Sequence, residues 1–188
     1  MPAVSWAVLH GHPVLKAVAA KIGPDYPELD KLMQDMWETL AHSEGVGLAA
    51  PQVNKSIRLF IVDGNPFYPD YPDGKDFKQV FINAEILEFF GEDTTFKEGC
   101  LSVPNIYEEV VRKDKIRIRY QDENFTEHEE VFDGIRARII QHEYDHLEGH
   151  VHVWVNANSG RLSNRAPIPC VWAAIKMVWP ILLVWRMK

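Results

Sequence analysis

The chain has 188 residues, of which 46% are apolar and 25% charged, a composition typical of a globular domain with a sizeable core. Its 20 basic and 27 acidic residues give a net charge of −7, which argues against nucleic acid as the main partner because phosphate binding needs a basic surface. Two cysteines, Cys100 and Cys170, are too few for a disulfide framework, and residues 1–10 lack the basic and apolar segments of an export signal. We therefore expect a cytoplasmic protein with reduced thiols.

The first predicted element is a helix over residues 25–44. Its apolar residues recur at steps of three and four, which places them on one face, and their methionine and aromatic side chains indicate core packing. Asp25 or Pro27 can start this helix, and Gly45 ends it. Because Pro51 excludes a regular continuation, residues 45–52 are predicted to form a loop.

The middle of the chain has the apolar runs and alternation that are typical of strands. Strands are predicted over residues 57–62, 79–90, 106–111, 115–120 and 127–132. Residues 63–66 and 122–124 are turn sequences, and residues 67–76 predict a surface loop. A second helix is predicted over residues 134–147, with Ile135, Ile139 and Ile140 on its buried side. Two helices separated by runs of strand predict an α+β fold with a largely antiparallel sheet.

The second helix ends in the most informative pattern of the chain. His142 and His146 are four residues apart and share one helix face, so both imidazoles can bind one metal ion. Glu143 can reach a water molecule at that ion and act as a general base. A polar helix face that carries two histidines by chance is the alternative interpretation of so short a pattern.

A catalytic metal of this kind has a third protein ligand, for which the sequence offers two candidates. No Asp or Glu follows Glu148, which itself lies about 200° around the helix from His146 and points away. Downstream, His152 and Gly149 complete the longer metzincin pattern of a metal-dependent endopeptidase. Upstream, Cys100 can supply a thiolate, although a free cysteine is more often a small buried core residue. The residues alone leave this choice open, together with a structural metal site closed by a fourth ligand.

Three motifs together give the chain a resemblance to bacterial peptide deformylase. Gly-x-Gly-x-Ala-Ala-Pro-Gln, Glu-Gly-Cys-x-Ser and Gln-His-Glu-x-Asp-His stand intact and in this order at residues 45–52, 98–102 and 141–146. The resemblance implies largely antiparallel β-sheets packed around a central helix that carries the His-Glu-x-x-His motif. It also implies a metal-dependent hydrolase that removes the N-formyl group from the N-terminal formyl-methionine of newly synthesised polypeptides and releases formate.

The resemblance further implies a role for each matching residue. The metal ligands would be Cys100, His142 and His146. The family's native metal is Fe²⁺, and Zn²⁺, Ni²⁺ or Co²⁺ can replace it. Glu143 would take a proton from the attacking water and return it to the departing amine. The side-chain amide of Gln52 and the backbone N–H of Leu101 would stabilise the oxyanion.

The same resemblance predicts how substrate and partners are bound. Gly45, Val46 and Gly47 would offer backbone groups to an extended peptide. The pocket for the methionine side chain would be lined by Val46, Leu101, Ile139 and His142. Glu98 is expected to pair with Arg112 and so hold the second motif. The expected partners are N-formylated nascent peptides, with transient association with the ribosome and no specific binding of nucleic acid.

The composition changes near residue 150, which divides the chain into a catalytic domain over residues 1–150 and a tail over residues 151–188. All 27 acidic residues precede Gly149, whereas four of the six tryptophans and five basic residues follow it. The usual continuation of the family is absent from this tail. Residues 170–185 are mostly apolar but contain Lys176 and Pro180, so we expect an interfacial anchor or a packed helix rather than a membrane span. A shifted reading frame is a further hypothesis, and the lack of a deformylase-like continuation in the other frames of the coding DNA would count against it.

Overall fold

The structure of the chain, a computed structural model, describes residues 7–9 and 11–150. Its α-helices are α1, Leu29–His42, and α2, Gly134–Leu147. Its strands are β1, Gly47–Ala49, β2, Leu59–Asp63, β3, Lys78–Cys100, β4, Val103–Gln121, and β5, Glu127–Asp133. Short 3₁₀ helices cover Pro13–Lys16, Ala50–Val53, Asn65–Phe67 and Pro72–Gly74.

The five strands form one sheet in chain order, and each neighbouring pair is antiparallel. The hairpin of β3 and β4 is much the longest pair, and its strands are joined at Leu101 and Ser102. Register shifts interrupt this pairing at four places, and such bulges bend a strand and increase its twist. The predicted α+β fold, with an antiparallel sheet and a helix at the metal-ligand residues, is confirmed.

Several predicted boundaries are wrong, each for a local reason. Residues 45–52 are not all loop, because residues 47–49 form β1 and residues 50–53 form a 3₁₀ helix. Three residues of Gly, Leu and Ala are too few to show alternation in the sequence. The helix α1 begins at Leu29 rather than Asp25, since Glu28 adopts a left-handed conformation with φ of 56°.

The hairpin is also more continuous than its sequence predicts. The strands predicted over residues 106–111 and 115–120 are a single strand, β4, and β3 continues past residue 90 to Cys100. Charged and polar residues such as Arg112 and Asp93 interrupt the apolar alternation in both strands without ending the backbone pairing. Phe67, which was predicted to lie in a surface loop, belongs to a 3₁₀ helix and is buried.

The core has two parts, which lie against α1 and α2. The apolar face of α1 packs with Leu59 of β2, as predicted, and its residues Met36 and Leu40 are buried, whereas Trp37 is half-buried. The buried side of α2 packs with the aromatic residues of the sheet. It includes the predicted core residues Ile135, Ile139 and Ile140.

Both ends of α2 are fixed, which positions the side chains that it carries. At the N-terminus, the N–H of Ile135 donates to Oδ2 of Asp73 at 2.8 Å. At the C-terminus, Gly149 has a φ of 73°, the left-handed conformation that commonly ends a helix. A Cβ at Gly149 would lie 2.7 Å from the carbonyl oxygen of Lys16, so a larger residue would displace the helix end.

Within residues 7–9 and 11–150, no helix is long and apolar enough to cross a membrane. The predictions for Cys170, for His152 as a metal ligand and for the rest of the tail concern residues outside those that the structure describes.

Candidate metal centre

Three metal-ligand side chains meet where the end of β3 faces α2. Sγ of Cys100 and the ring nitrogens of His142 and His146 lie within 4.8 Å of one another, and all three residues are buried. Sγ of Cys100 is 3.3 Å from Nε2 of His146. In a tetrahedral site with bonds of about 2.0–2.3 Å, ligand atoms are about 3.5 Å apart. The three donors are therefore spaced for a single ion, and a thiolate with two imidazoles suits a soft or borderline divalent cation.

The two imidazoles also prepare Cys100 to bind as a thiolate. Burial acts to raise the pKa of the thiol, but the rings of His146 and His142 outweigh it and lower the pKa well below its ordinary value. Burial acts to lower the pKa of His142, whereas Cys100 and Glu98 raise it well above its ordinary value. The surroundings of Cys100 therefore favour the thiolate, which is the form that binds a cation.

Glu98 orients the ring of His142. Oε2 of Glu98 is 2.9 Å from Nδ1 of His142, and Arg112 donates Nε and Nη2 to the two carboxylate oxygens at 2.8 and 2.9 Å. The predicted pair of Glu98 and Arg112 is thus confirmed. Burial acts to raise the pKa of Glu98, but His142 and Arg112 lower it well below its ordinary range. An ionised carboxylate only accepts, so Nδ1 of His142 donates to it and leaves Nε2 for a metal.

Arg138 also belongs to this network and was not predicted from the sequence. Nη1 of Arg138 donates to Oε1 of Glu98 at 3.0 Å and to the carbonyl oxygen of Val110 at 3.1 Å. Its Nη2 donates to the carbonyl oxygen and to Oγ1 of Thr94, both at 2.7 Å. A signal was present, because Arg138 lies four residues before His142 and therefore on the helix face that carries the ligands.

Two buried polar atoms of the site, Nδ1 of His146 and Oε2 of Glu143, have no hydrogen-bond partner among the described residues. Glu143 is 3% exposed, and burial raises its pKa to about 7. A Cβ placed on Gly47 would lie only 2.4 Å from Oε1 of Glu143, so β1 passes directly beside this carboxyl group. Glu143 is therefore a buried base that can exchange a proton near neutral pH.

Gln52 directs its amide nitrogen towards the metal ligands. Its Oε1 accepts from the N–H of Ala49 at 2.8 Å, which leaves Nε2 3.7 Å from Sγ of Cys100 and 3.4 Å from Oγ of Ser102. Gln52 is 1% exposed, so this orientation is fixed by its surroundings. Leu101 follows Cys100 directly in the turn between β3 and β4, which places its backbone N–H next to the same ligand.

The predicted peptide-binding residues belong to α2 and to the segment that leads into β1. Gly45 and Val46 precede β1, and Gly47 begins it. Val46 and Ile139 are each 1% exposed and belong to the same core cluster. Their contact with a methionine side chain stays a prediction.

The family model described as polypeptide deformylase matches residues 4–158. The chain belongs to the polypeptide deformylase family. This match extends a few residues beyond the point near residue 150 where the composition changes.

Curated relatives and solved structures agree with this assignment. The peptide deformylase of Flavobacterium johnsoniae is 49% identical over an alignment of 147 residues, and the match covers 74% of this chain and 75% of that protein. The peptide deformylase of Christiangramia forsetii is 46% identical over an alignment of 149 residues, and the match covers 76% of each chain.

Among solved structures, the peptide deformylase of Thermotoga maritima has a TM-score of 0.68 at 38% identity, over 76% of this chain and 90% of that one. A class I type b peptide deformylase from Acinetobacter baumannii, crystallised with Met-Ala-Ser bound, has a TM-score of 0.73 at 40% identity. That match covers 79% of this chain and 96% of the other.

Membership of this family decides between the activities that the sequence left open. Peptide deformylases depend on a metal, and the candidate metal site here consists of Cys100, His142 and His146. The metzincin-type endopeptidase with His152 as third ligand is therefore not favoured.

Proposed function

We propose that this chain hydrolyses the N-formyl group of the N-terminal formyl-methionine of newly synthesised polypeptides and releases formate. The single observation that carries this proposal is the convergence of Cys100 with His142 and His146 around one point, beside the buried base Glu143. The family supplies the reaction, and this arrangement supplies the groups that the reaction needs.

We assign the metal to Cys100, His142 and His146, and we propose Fe²⁺ as the native ion, with Zn²⁺, Ni²⁺ or Co²⁺ able to replace it. The donors fit such an ion because one thiolate and two imidazoles are spaced for it. When bound, the ion supplies Lewis-acid polarisation of the formyl carbonyl and lowers the pKa of the attacking water.

The side chains around the ligands perform the proton transfers and stabilise charge. Glu143 takes a proton from the attacking water and returns it to the departing amine. Nε2 of Gln52 and the N–H of Leu101 donate to the oxygen of the formyl group as it becomes negative. Each such donor is typically worth about 3 kcal/mol in the transition state.

Substrate binding is assigned to the segment before and within β1. The backbone of Gly45, Val46 and Gly47 would pair with an extended peptide. Such pairing recognises the main chain of the peptide rather than its side chains, so it suits many different nascent chains. Val46 and Ile139, with Leu101 and His142, would contact the methionine side chain. Exchange of the formyl-methionine for formyl-alanine should raise KM if this apolar lining is correct.

We further propose that the protein acts in the cytoplasm and contacts the ribosome transiently, without specific binding of nucleic acid. Residues 1–150 would form the catalytic domain, and residues 151–188 a tail that contributes no catalytic group. The net charge of −7 supports the absence of nucleic-acid binding, because phosphates repel an acidic surface. Co-sedimentation with translating ribosomes at low and high salt would test the transient contact.

The decisive experiment measures formate release from a formyl-methionyl peptide together with the metal content of the purified protein. Cys100→Ala should lose both the metal and the activity. Cys170→Ala, the same substitution at the other cysteine, is the matched control and should retain both. Metal that remains bound at full occupancy in Cys100→Ala would show that the ligand assignment is wrong.

A further inference from the structure

Arg138 is an unusual residue to find buried on the helix that carries the metal ligands. Its side chain is 5% exposed and takes part in four hydrogen bonds, with partners on β3 and β4. Its guanidinium also lies 5.8 Å from the centre of the Phe96 ring. Burial of an arginine removes its hydration, so this side chain is retained only where specific partners replace water.

The partner that matters for the site is Glu98, whose four acceptor positions are all filled. Oε1 accepts from Nε of Arg112 and Nη1 of Arg138, and Oε2 accepts from Nη2 of Arg112 and Nδ1 of His142. Two ionised carboxylate oxygens offer about four lone-pair sites. The two arginines occupy three of these sites. The fourth lone-pair site of Glu98 accepts from His142.

The position of Arg138 in the sequence makes this arrangement rigid. Arg138 and His142 are one turn apart on α2 and reach the same carboxylate from the same helix face. The far side of the guanidinium is fixed by Thr94. Rotation of Glu98 would therefore break its contacts with β4 and with α2. Arg112 holds Glu98 in a different way, because it approaches from β4 and contacts α2 at Asp145, after His142 in the chain, rather than at the helix turn before it.

We propose that Arg138 is a positioning residue for the metal site: by holding Glu98, it fixes the orientation of the His142 ring and thereby strengthens metal binding. The inference rests on the proposed function only in its use of Cys100, His142 and His146 as metal ligands. Hydrogen-bond partners of metal-binding histidines typically change metal affinity by about 10- to 100-fold when they are lost.

The test uses the full-length protein with Co²⁺ alone as the probe, titrated against a chromophoric chelator at a temperature where melting curves show each variant folded. The thiolate-to-cobalt absorption band reports binding at Cys100. Arg138→Met, which keeps much of the side-chain volume, should bind Co²⁺ about tenfold more weakly or worse. Arg117→Met, at an exposed arginine of β4 that pairs with Glu88, is the matched control and should bind as wild type does.

A double-mutant cycle separates positioning through Glu98 from a general effect on the fold. If Arg138 acts through Glu98, adding Arg138→Met to Glu98→Gln should weaken Co²⁺ binding by less than about twofold further. The proposal would be overturned if Arg138→Met weakened Co²⁺ binding by the same factor in the Glu98→Gln protein as in the wild type. A folded Arg138→Met protein with the wild-type affinity for Co²⁺ would also overturn it. Failure of the wild-type protein to show the thiolate-to-cobalt band would instead refute the metal-site assignment itself.

A second variant keeps the proposal testable if Arg138→Met does not fold. Thr94→Val removes the hydroxyl that accepts from Nη2 of Arg138 at 2.7 Å and donates to the backbone carbonyl oxygen of Arg112 at 3.3 Å. Thr95→Val is its control on the next, exposed residue of β3. Thr94→Val should weaken Co²⁺ binding relative to Thr95→Val, although by less than Arg138→Met would. Equal affinities in these two variants would overturn the proposal.

Discussion

Gly47 is the point where the proposed substrate-binding strand comes closest to the proposed general base. A Cβ at this position would lie 2.4 Å from Oε1 of Glu143 and 2.7 Å from both its Cδ and Cγ, whereas ordinary contacts of a Cβ begin at 3.4 Å. In Gly47→Ala the carboxyl end of Glu143 would therefore have to move by about 1 Å. It cannot swing into solvent, since Glu143 is 3% exposed.

We expect kcat of Gly47→Ala to fall by about 100-fold, because a misplacement of 1 Å at a reacting group costs about that much. The three atoms nearest to the new Cβ all belong to Glu143, so the base is the group that is displaced and the metal content should stay at the wild-type level. KM should change less than kcat. Overpacking of this kind costs about 1–3 kcal/mol of stability, which a modest fall in Tm would report.

The assay is formate release from a formyl-methionyl peptide at several substrate concentrations, with metal analysis of the same samples. Gly23→Ala is the matched control, because its Cβ would also meet a carboxylate oxygen, Oδ1 of Asp25, at 2.7 Å. Asp25 is exposed and free to rotate, so this variant should keep the wild-type kcat. A Gly47→Ala protein with kcat within about threefold of wild type would refute the placement of Glu143 as the base.

Three further predictions concern the charged groups of the site. Glu143→Gln should lower kcat by about 10²- to 10⁴-fold with unchanged metal content, and a smaller loss would remove Glu143 as the proton carrier. Burial raises the pKa of Glu143 to about 7, and a nearby cation lowers it, so kcat/KM should fall only as the pH drops below about 7. A second fall of kcat/KM above pH 8 would contradict this prediction. Arg112→Met should lower the free energy of unfolding in urea by about 3 kcal/mol, because Glu98 and Asp145 lose their shared partner. A loss below about 1 kcal/mol would show that Arg138 alone satisfies Glu98.

The helical half of the site could be predicted from the sequence by geometry alone. His142 and His146 share a face because they are one turn apart, and that spacing was enough to place both on one ion with Glu143 beside it. The third ligand could not be found in this way. Cys100 lies 42 residues before His142, and only the strand order brings the two together, so the residues alone left Cys100 and His152 open. The motif resemblance selected the cysteine.

The hairpin that delivers Cys100 was harder to predict, for a related reason. Alternation of apolar and polar residues marks a strand only where one face meets the core and the other meets water. In β3 that rule fails after Phe90, because residues 91–95 are exposed on both faces, and in β4 it fails at Arg112, which is buried as a pair with Glu98. Hydropathy therefore predicts the end of β3 well before the site and a break in β4, although the backbone pairing continues to Cys100.

The buried charged residues of the site also explain how its two halves, the end of the hairpin and α2, are held in register. Cys100 ends a hairpin and the histidines lie on a helix, so any sliding between the two elements would change the distance between the ligands. Three ion-pair contacts cross this junction: Arg112 with Asp145 at 2.7 Å, Arg138 with Glu98 at 3.0 Å, and His142 with Glu98 at 2.9 Å. Each of these contacts joins two side chains of the protein, so the network itself helps to fix the spacing of the ligands. A buried pair of this kind adds little net stability compared with apolar packing, but loses its energy sharply when the geometry changes. That property suits a network whose task is to fix positions.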